Sequence, residues 1–304
     1  MMAKGEQKGE QKMEQKGEPK MEPKMEQRDP AQLQATITAQ GIAVFDIDGV
    51  VRDVGQSYRR AIADTVEQFT GGAFRPTLDQ IDGLKAEGIW NNDWLGSQEL
   101  IYRYYEGQGQ SRESISLTYD EVVDYFQRQY RGANLEDPSQ WDGYINQEPL
   151  LMGAPYLQQL AAAGIAWGFF SGATRGSADY VLQRRIGLQF PPLVAMGEAP
   201  DKPDPLGLLK VVEQLTHSLG LSPTLPVLYA GDTVADLYTI REAQSQAPDR
   251  PWWAVGVLPP HVQEPGPRRQ AYEQRLWDAG AHRVVSRVTD LTPGAIGQLF
   301  REGA

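Results

Sequence analysis

The chain of 304 residues contains no cysteine. Disulfides, thiolate metal sites and Cys nucleophiles are therefore excluded. Only three histidines are present, His217, His261 and His282, too few for a His-rich metal cage. No stretch approaches the roughly 18 apolar residues that a membrane helix needs. The first residues, MMAKGEQKGE, lack the apolar core of a secretory signal. A cytoplasmic protein without a membrane partner is the expectation. Basic residues are also in deficit, 29 against 40 acidic ones, giving a formal net charge of −11. With a sequence pI near 4.9, no nucleic-acid partner is expected, because phosphate-backbone affinity rests on positive surface. Chemistry must run on carboxylates, hydroxyls, lysines or a borrowed metal.

What is present suits a globular protein. A hydrophobic fraction of 40% is enough to bury a core. The charge is unevenly placed. Residues 1–30 repeat a four-residue K-x-E-x unit in which seven basic and seven acidic side chains cancel. Lysines every four residues would stack like charges on one helix face, and Gly5, Gly9, Gly17, Pro19 and Pro23 interrupt it. Residues 1–35 are therefore expected to be a disordered polyampholyte tail, solubilising or available for docking a partner. The whole acidic excess falls on the rest of the chain.

Beyond the tail, Gly41–Phe45 is a short apolar run that stops abruptly at Asp46. Similar runs follow at Ile165–Phe170, Pro226–Ala230, Trp252–Val257 and Arg283–Val285. Runs of this kind fit strands buried on both faces of a parallel sheet. Amphipathic stretches at 155–163, 177–186, 206–219 and 236–244 alternate with them. The pattern predicts an α/β, Rossmann-like core whose ligands sit beyond the carboxyl ends of the strands. Residues 55–149 break the alternation with helix-like segments and no convincing strand. They are expected to form an all-helical cap inserted between the first two strands, leaving 36–54 and 150–304 as the core.

The strand ends carry the chemistry-bearing residues. The first ends in Asp46-Ile47-Asp48-Gly49-Val50-Val51-Arg52-Asp53, the second in Ser171-Gly172-Ala173-Thr174. A later loop reads Asp201-Lys202-Pro203-Asp204-Pro205, and the next strand end reads Gly231-Asp232-Thr233-Val234-Ala235-Asp236. Strand period 2 sends Asp46 and Asp48 off on the same side, roughly 7 Å apart at Cα. Two carboxylates so placed can attack phosphorus and exchange a proton with the leaving oxygen. Ser171 and Gly172 offer a hydroxyl and a backbone N–H to phosphate oxygens. Lys202 is the one cation of the set. Carboxylates this crowded call for a hard divalent cation such as Mg²⁺.

In order and spacing these segments resemble the haloacid dehalogenase superfamily, in its phosphatase branch with a helical cap (subfamily IA-like). DxDGV followed by Asp53, the Ser at the second strand end, Lys-Pro-x-Pro and GDxxxD stand in register, and the resemblance covers roughly residues 41–300. It implies a Mg²⁺-dependent phosphatase acting on a small phosphorylated metabolite. Asp46 would be the nucleophile that forms an aspartyl-phosphate and Asp48 the general acid and base. Ser171, Gly172 and Lys202 would hold the phosphoryl group. The metal would lie among Asp46, the Asp48 carbonyl, Asp232 and Asp236, the last as ligand or as support behind the ligands. A second Asp at position 48 favours phosphoryl transfer over halide displacement.

Two positions depart from the family pattern. Arg52 stands where similar enzymes often carry an apolar residue, and Val54 replaces a frequent Ser. Within the cap, Trp90, Asn91, Asn92 and Trp94 are candidate substrate contacts, with turn formation and cap packing as the competing reading. Arg52, Lys85 and Arg103 are candidates for a substrate anion, with solvated surface as the plainer expectation. His217 is expected at a helix surface. A phosphomutase or phosphotransferase on the same core, or a non-catalytic binding protein of the same fold, are the alternatives. Neither substrate nor oligomeric state is legible.

Overall fold

In a computed structural model, residues 39–90 and 92–302 are described. The expected tail, 1–35, and Asn91 lie outside the described residues. Six parallel strands form one sheet: β1 (Gly41–Phe45), β2 (Ile165–Phe170), β3 (Leu193–Val194), β4 (Val227–Gly231), β5 (Trp252–Val257) and β6 (Arg283–Val285). Their order across the sheet is β3-β2-β1-β4-β5-β6. All five expected runs form strands. The sixth, β3, is a two-residue edge strand behind Pro191-Pro192, too short to register as an apolar run. Its place is held by Phe169 N donating to Pro192 O at 2.9 Å.

Side-chain alternation along β1 divides the core. Ile42 and Val44 face one side, where they pack with Leu208 and Val211 of α7 (Leu206–Leu219) and Leu237 and Ile240 of α8 (Val234–Gln246). Ala43 and Phe45 face the other, against Leu157 and Leu160 of α5 (Ala154–Ala162) and Ile296 and Leu299 of α10 (Pro293–Glu302). Both sheet faces are thus dry, which explains why the strands read as continuous apolar runs. Helix α9 (Pro267–Asp278) packs on the first face through Tyr272 and Leu276. The short α6 (Arg175–Asp179) continues into a π-turn at Tyr180–Arg185, where one regular helix was expected over 177–186.

Between β1 and β2 lie four insert helices: α1 (Tyr58–Phe69), α2 (Leu78–Lys85), α3 (Asp93–Gly107) and α4 (Tyr119–Arg131). Helix α1 packs on both α3 and α4. Tyr58 stacks on Tyr130 with ring centroids 4.1 Å apart and meets Phe126 at 5.6 Å. Capping boxes at Thr77 and Thr118 start α2 and α4. The chain enters and leaves the insert side by side: Asp53 N donates to Pro149 O and Leu151 N to Val51 O, both at 2.8 Å. This paired stalk sets the insert over the carboxyl ends of β1, β2 and β4.

Candidate active site

The segment after β1 turns at Gly49, whose φ of +77° lies in the region that favours glycine. A Cβ there would also stand 2.2 Å from Asp232 Oδ2. Glycine therefore lets the β1 and β4 loops close on each other, and that closure brings Asp46 to Asp232. At the end of β4, Gly231 does the same for Asp236, whose Cβ would lie 2.3 Å from an added one. A capping box then aims Asp236: its Oδ2 accepts from Thr233 N at 3.0 Å and from Thr233 Oγ1 at 2.7 Å. Its Oδ1 accepts from Lys202 Nζ at 2.7 Å and Tyr229 OH at 2.9 Å. Tyr272, from α9, donates to Asp232 O at 3.1 Å and pins the β4 loop from behind.

Asp46, Asp232 and Asp236 are all buried, and one oxygen of each lies within 4.8 Å of the others. Lys202 Nζ stands 2.9 Å from Asp46 Oδ1 as an ion pair rather than an aligned hydrogen bond, so Oδ1 keeps lone-pair capacity. Burial pushes the Asp46 carboxyl up to about 7, with Lys202 pulling it down and Asp236 and Asp48 pushing it further up. Burial also drives Asp232 well above the usual carboxylate range, reinforced by Asp236 and Asp46. Burial would raise Asp236 too, but Lys202 and the Thr233 bonds hold it below its ordinary value. Lys202 itself is raised: burial opposes its charge, and Asp236 and Asp46 outweigh burial. Three buried carboxylates share one ammonium, so Asp46 and Asp232 ionise only at a cost that a further cation would offset. An all-oxygen donor set of that kind suits a hard divalent cation.

A cavity of about 140 Å³ opens over this cluster and is lined by Asp46, Asp48, Gly172, Lys202 and Asp232. Ser171 is not part of that lining; it is buried, and its Oγ accepts from Ala173 N at 3.1 Å. Asp48 is not in the three-carboxylate cluster. Its Oδ1 accepts from Arg52 Nε at 2.6 Å. From the insert, Asn92 and Trp94 reach the cavity and Trp90 does not. Asn92 also caps α3, its Oδ1 accepting from Trp94 N at 2.9 Å. Trp90 donates to Glu87 at 2.7 Å.

The cationic candidates divide as sharply. Lys85 lines the cavity and pairs with Asp93. Arg103 is a surface residue paired with Glu87 and Glu99. Arg52 corrects the solvated-surface expectation, since it is wholly buried. His217 is exposed, as expected. Sequence reasoning did not single out Tyr58, Arg59, Asp82, Tyr272 or Arg275, all of which line the cavity. For α9 the available signal was Tyr272, Arg275 and Leu276 at i, i+3 and i+4, obscured by the proline-rich lead-in and dense charge.

Over residues 41–244, more than half its length, the chain matches the family described as haloacid dehalogenase-like hydrolase. The chain belongs to that family. This hydrolase shares its fold with a phosphonoacetaldehyde hydrolase like protein from Oleispira antarctica, at TM-score 0.60 and 19% identity, over 89% of this chain and 98% of that one. A HAD hydrolase of family IA, variant 3, from Entamoeba histolytica is similar at TM-score 0.56 and 14% identity, over 87% and 100%. The phosphatase Tt82 from Thermococcus thioreducens is similar at TM-score 0.52 and 22% identity, over 71% and 92%. Among curated proteins, an imidazoleglycerol-phosphate dehydratase of Phytophthora nicotianae is 29% identical over 267 residues, or 84% of this chain. The hydrolase spans about half, 51%, of that relative's length. Among the described residues, no helix is long and apolar enough to cross a membrane.

Proposed function

We propose that this hydrolase removes the phosphoryl group from a small phosphorylated metabolite through an aspartyl-phosphate on Asp46. The observation that carries the reading is that Asp46 and Asp48 line one cavity together with Lys202. In the first step an Asp46 oxygen attacks phosphorus and the bond to the alcohol oxygen breaks. Protonated Asp48 gives its proton to that oxygen, so an alcohol leaves. In the second step water attacks the same phosphorus while Asp48 takes its proton. The bond to Asp46 breaks, releasing inorganic phosphate and restoring both carboxyl groups. Lys202 and the Gly172 N–H hold the phosphoryl oxygens throughout, and Ser171 braces the turn that presents Gly172.

Asp46, Asp232 and the Asp48 carbonyl would hold Mg²⁺, with Asp236 committed to orienting Lys202. The ion, when bound, neutralises phosphoryl charge beside an otherwise anionic cluster. Residues 55–149 act as a cap over the core of 36–54 and 150–304, because Tyr58, Asn92 and Trp94 reach the same cavity as Asp46. The cap excludes water during the first step. The name of the Phytophthora relative adds phosphomonoesters of imidazole alcohols to the substrates worth testing. The test is a phosphate-release panel of alkyl phosphomonoesters, run with Mg²⁺ and with EDTA. Magnesium-dependent release supports the reading. Turnover untouched by EDTA contradicts the metal assignment, and discharge only to added sugar phosphates points to a mutase.

A further inference from the structure

We propose that Arg52 is a positioning residue that holds the Asp48 carboxylate by one oxygen and ties it to the helical insert. The inference rests on the function proposed above. Arg52 belongs to the stalk: its backbone pairs with Leu150 in an antiparallel bridge, and its carbonyl accepts from Gly49 N at 2.9 Å. Its side chain is wholly buried and does not line the cavity. It therefore cannot touch a substrate seated there and acts only through its neighbours.

Those neighbours come from four places. Nε donates to Asp48 Oδ1 at 2.6 Å. Nη1 donates to Tyr130 OH at 2.6 Å, on α4, and to Glu148 Oε2 at 3.0 Å, on the returning stalk. The guanidinium carbon lies 5.4 Å and 5.9 Å from the ring centroids of Tyr58 and Tyr130, so rings from α1 and α4 flank it. Glu148 is fixed in turn by Ser57 Oγ, which donates to Oε1 at 2.5 Å.

A planar guanidinium with two fixed edges has little freedom to follow a moving carboxylate. Asp48 has no other hydrogen-bonded side-chain partner among the described residues, and its side chain is 27% exposed on the cavity side. With Oδ1 taken by Arg52, Oδ2 is the oxygen left to face the substrate and carry the proton. Any shift of α1 or α4 relative to the stalk moves Tyr58 and Tyr130, hence Arg52, hence Oδ2. The insert thereby controls the geometry of the acid as well as the access of water.

The test uses leaving-group dependence, which a merely structural role does not move. An alkyl phosphate needs its leaving oxygen protonated; 2,4-dinitrophenyl phosphate does not. Arg52→Met is expected to lower kcat/KM for the alkyl ester about 100-fold or more, the scale of lost general-acid help. Loss on the dinitrophenyl ester stays within about threefold on the same grounds. Arg52→Lys, which keeps the charge and one donor, recovers part of the alkyl activity. If Arg52→Met does not fold, Tyr130→Phe removes one bond to Nη1 and is expected to shift the ratio in the same direction. Equal losses on both esters overturn the inference. Asp46→Asn separates the two claims: retained turnover sinks the proposed function itself, whereas an inactive Asp46→Asn with equal losses in Arg52→Met sinks only the role of Arg52.

Discussion

Lys202 and Asp236 hold each other at 2.7 Å, both almost fully buried, and the same ammonium stands 2.9 Å from Asp46. The pair makes Asp236 a brace for Lys202, and Lys202 a counter-charge for Asp46. Removing Asp236 leaves a buried ammonium with Asp46 as its one remaining counter-charge and strips the Tyr229 hydroxyl of that acceptor. Asp236→Ala is expected to destabilise the fold by about 3–5 kcal/mol, measured by denaturant unfolding. A loss under about 1 kcal/mol, the range of exposed pairs, would show that solvent reaches Lys202.

Gly49 separates the Asp46 and Asp232 loops by the width of a missing methyl group. Gly49→Ala forces Asp232 to move and strains a φ of +77°. Misplacement of about 1 Å at a catalytic centre costs on the order of 100-fold in rate. The variant should lose that much kcat/KM and bind Mg²⁺ more weakly in a calorimetric titration. Unchanged magnesium affinity would place the metal away from Asp232.

Trp94 lines the cavity and Trp90 does not. Trp94→Ala is expected to raise KM about tenfold, for the loss of one aromatic contact, with little change in kcat. Trp90→Ala should leave KM unchanged. Equal effects from the two variants would show that the insert loop acts as one packed unit rather than through Trp94.

Asp82, on α2, ties the insert to the core. It accepts from Arg268 at 2.8 Å and meets His261 at 3.1 Å, while Arg59 pairs with its other oxygen. Arg268 leads α9 directly after the proline-rich stretch 259–267, which positions a contact with the insert. Arg268→Ala should raise KM roughly 1.5- to 5-fold, the effect of one partly exposed pair. The effect should shrink at high salt. Salt-independent loss would argue against an electrostatic tie.

His282 accepts a hydrogen bond from Ala254 N at 3.0 Å through Nδ1, and burial holds it below the ordinary value of 6.5. The unfolded chain therefore takes up the proton first as pH falls through 6.5. Its contribution is complete above that value and is lost below it. Thermal midpoints should fall on acidification through 6.5, less steeply in His282→Gln. Identical slopes would assign the acid limb to other groups.

Much of this architecture is legible in the sequence because burial on both sheet faces leaves no charged residue inside the central strands β1, β2 and β4. Ile42 and Val44 serve one face while Ala43 and Phe45 serve the other, so β1 reads as apolar throughout. The strand β3 was not legible, because its two residues carry no pattern. The grouping of Asp46, Lys202, Asp232 and Asp236 was legible, since each follows a strand end or sits in a short motif. Arg52 was legible as a departure but not as a buried residue. Its partners Tyr130 and Glu148 lie 78 and 96 positions away, and nothing local announces them. Tyr272 was hidden for the same reason. Its contact with Asp232 depends on α9 crossing behind the β4 loop.

On the proposed mechanism Asp46 carries the phosphoryl group during turnover. Acid quenching during steady turnover, followed by mass analysis of the peptide containing Asp46, tests it most directly. A phosphoryl mass increment on that peptide, present in the wild type and absent in Asp46→Asn, is the predicted result. Phosphate release with no increment at Asp46, alongside wild-type turnover in Asp46→Asn, would contradict it.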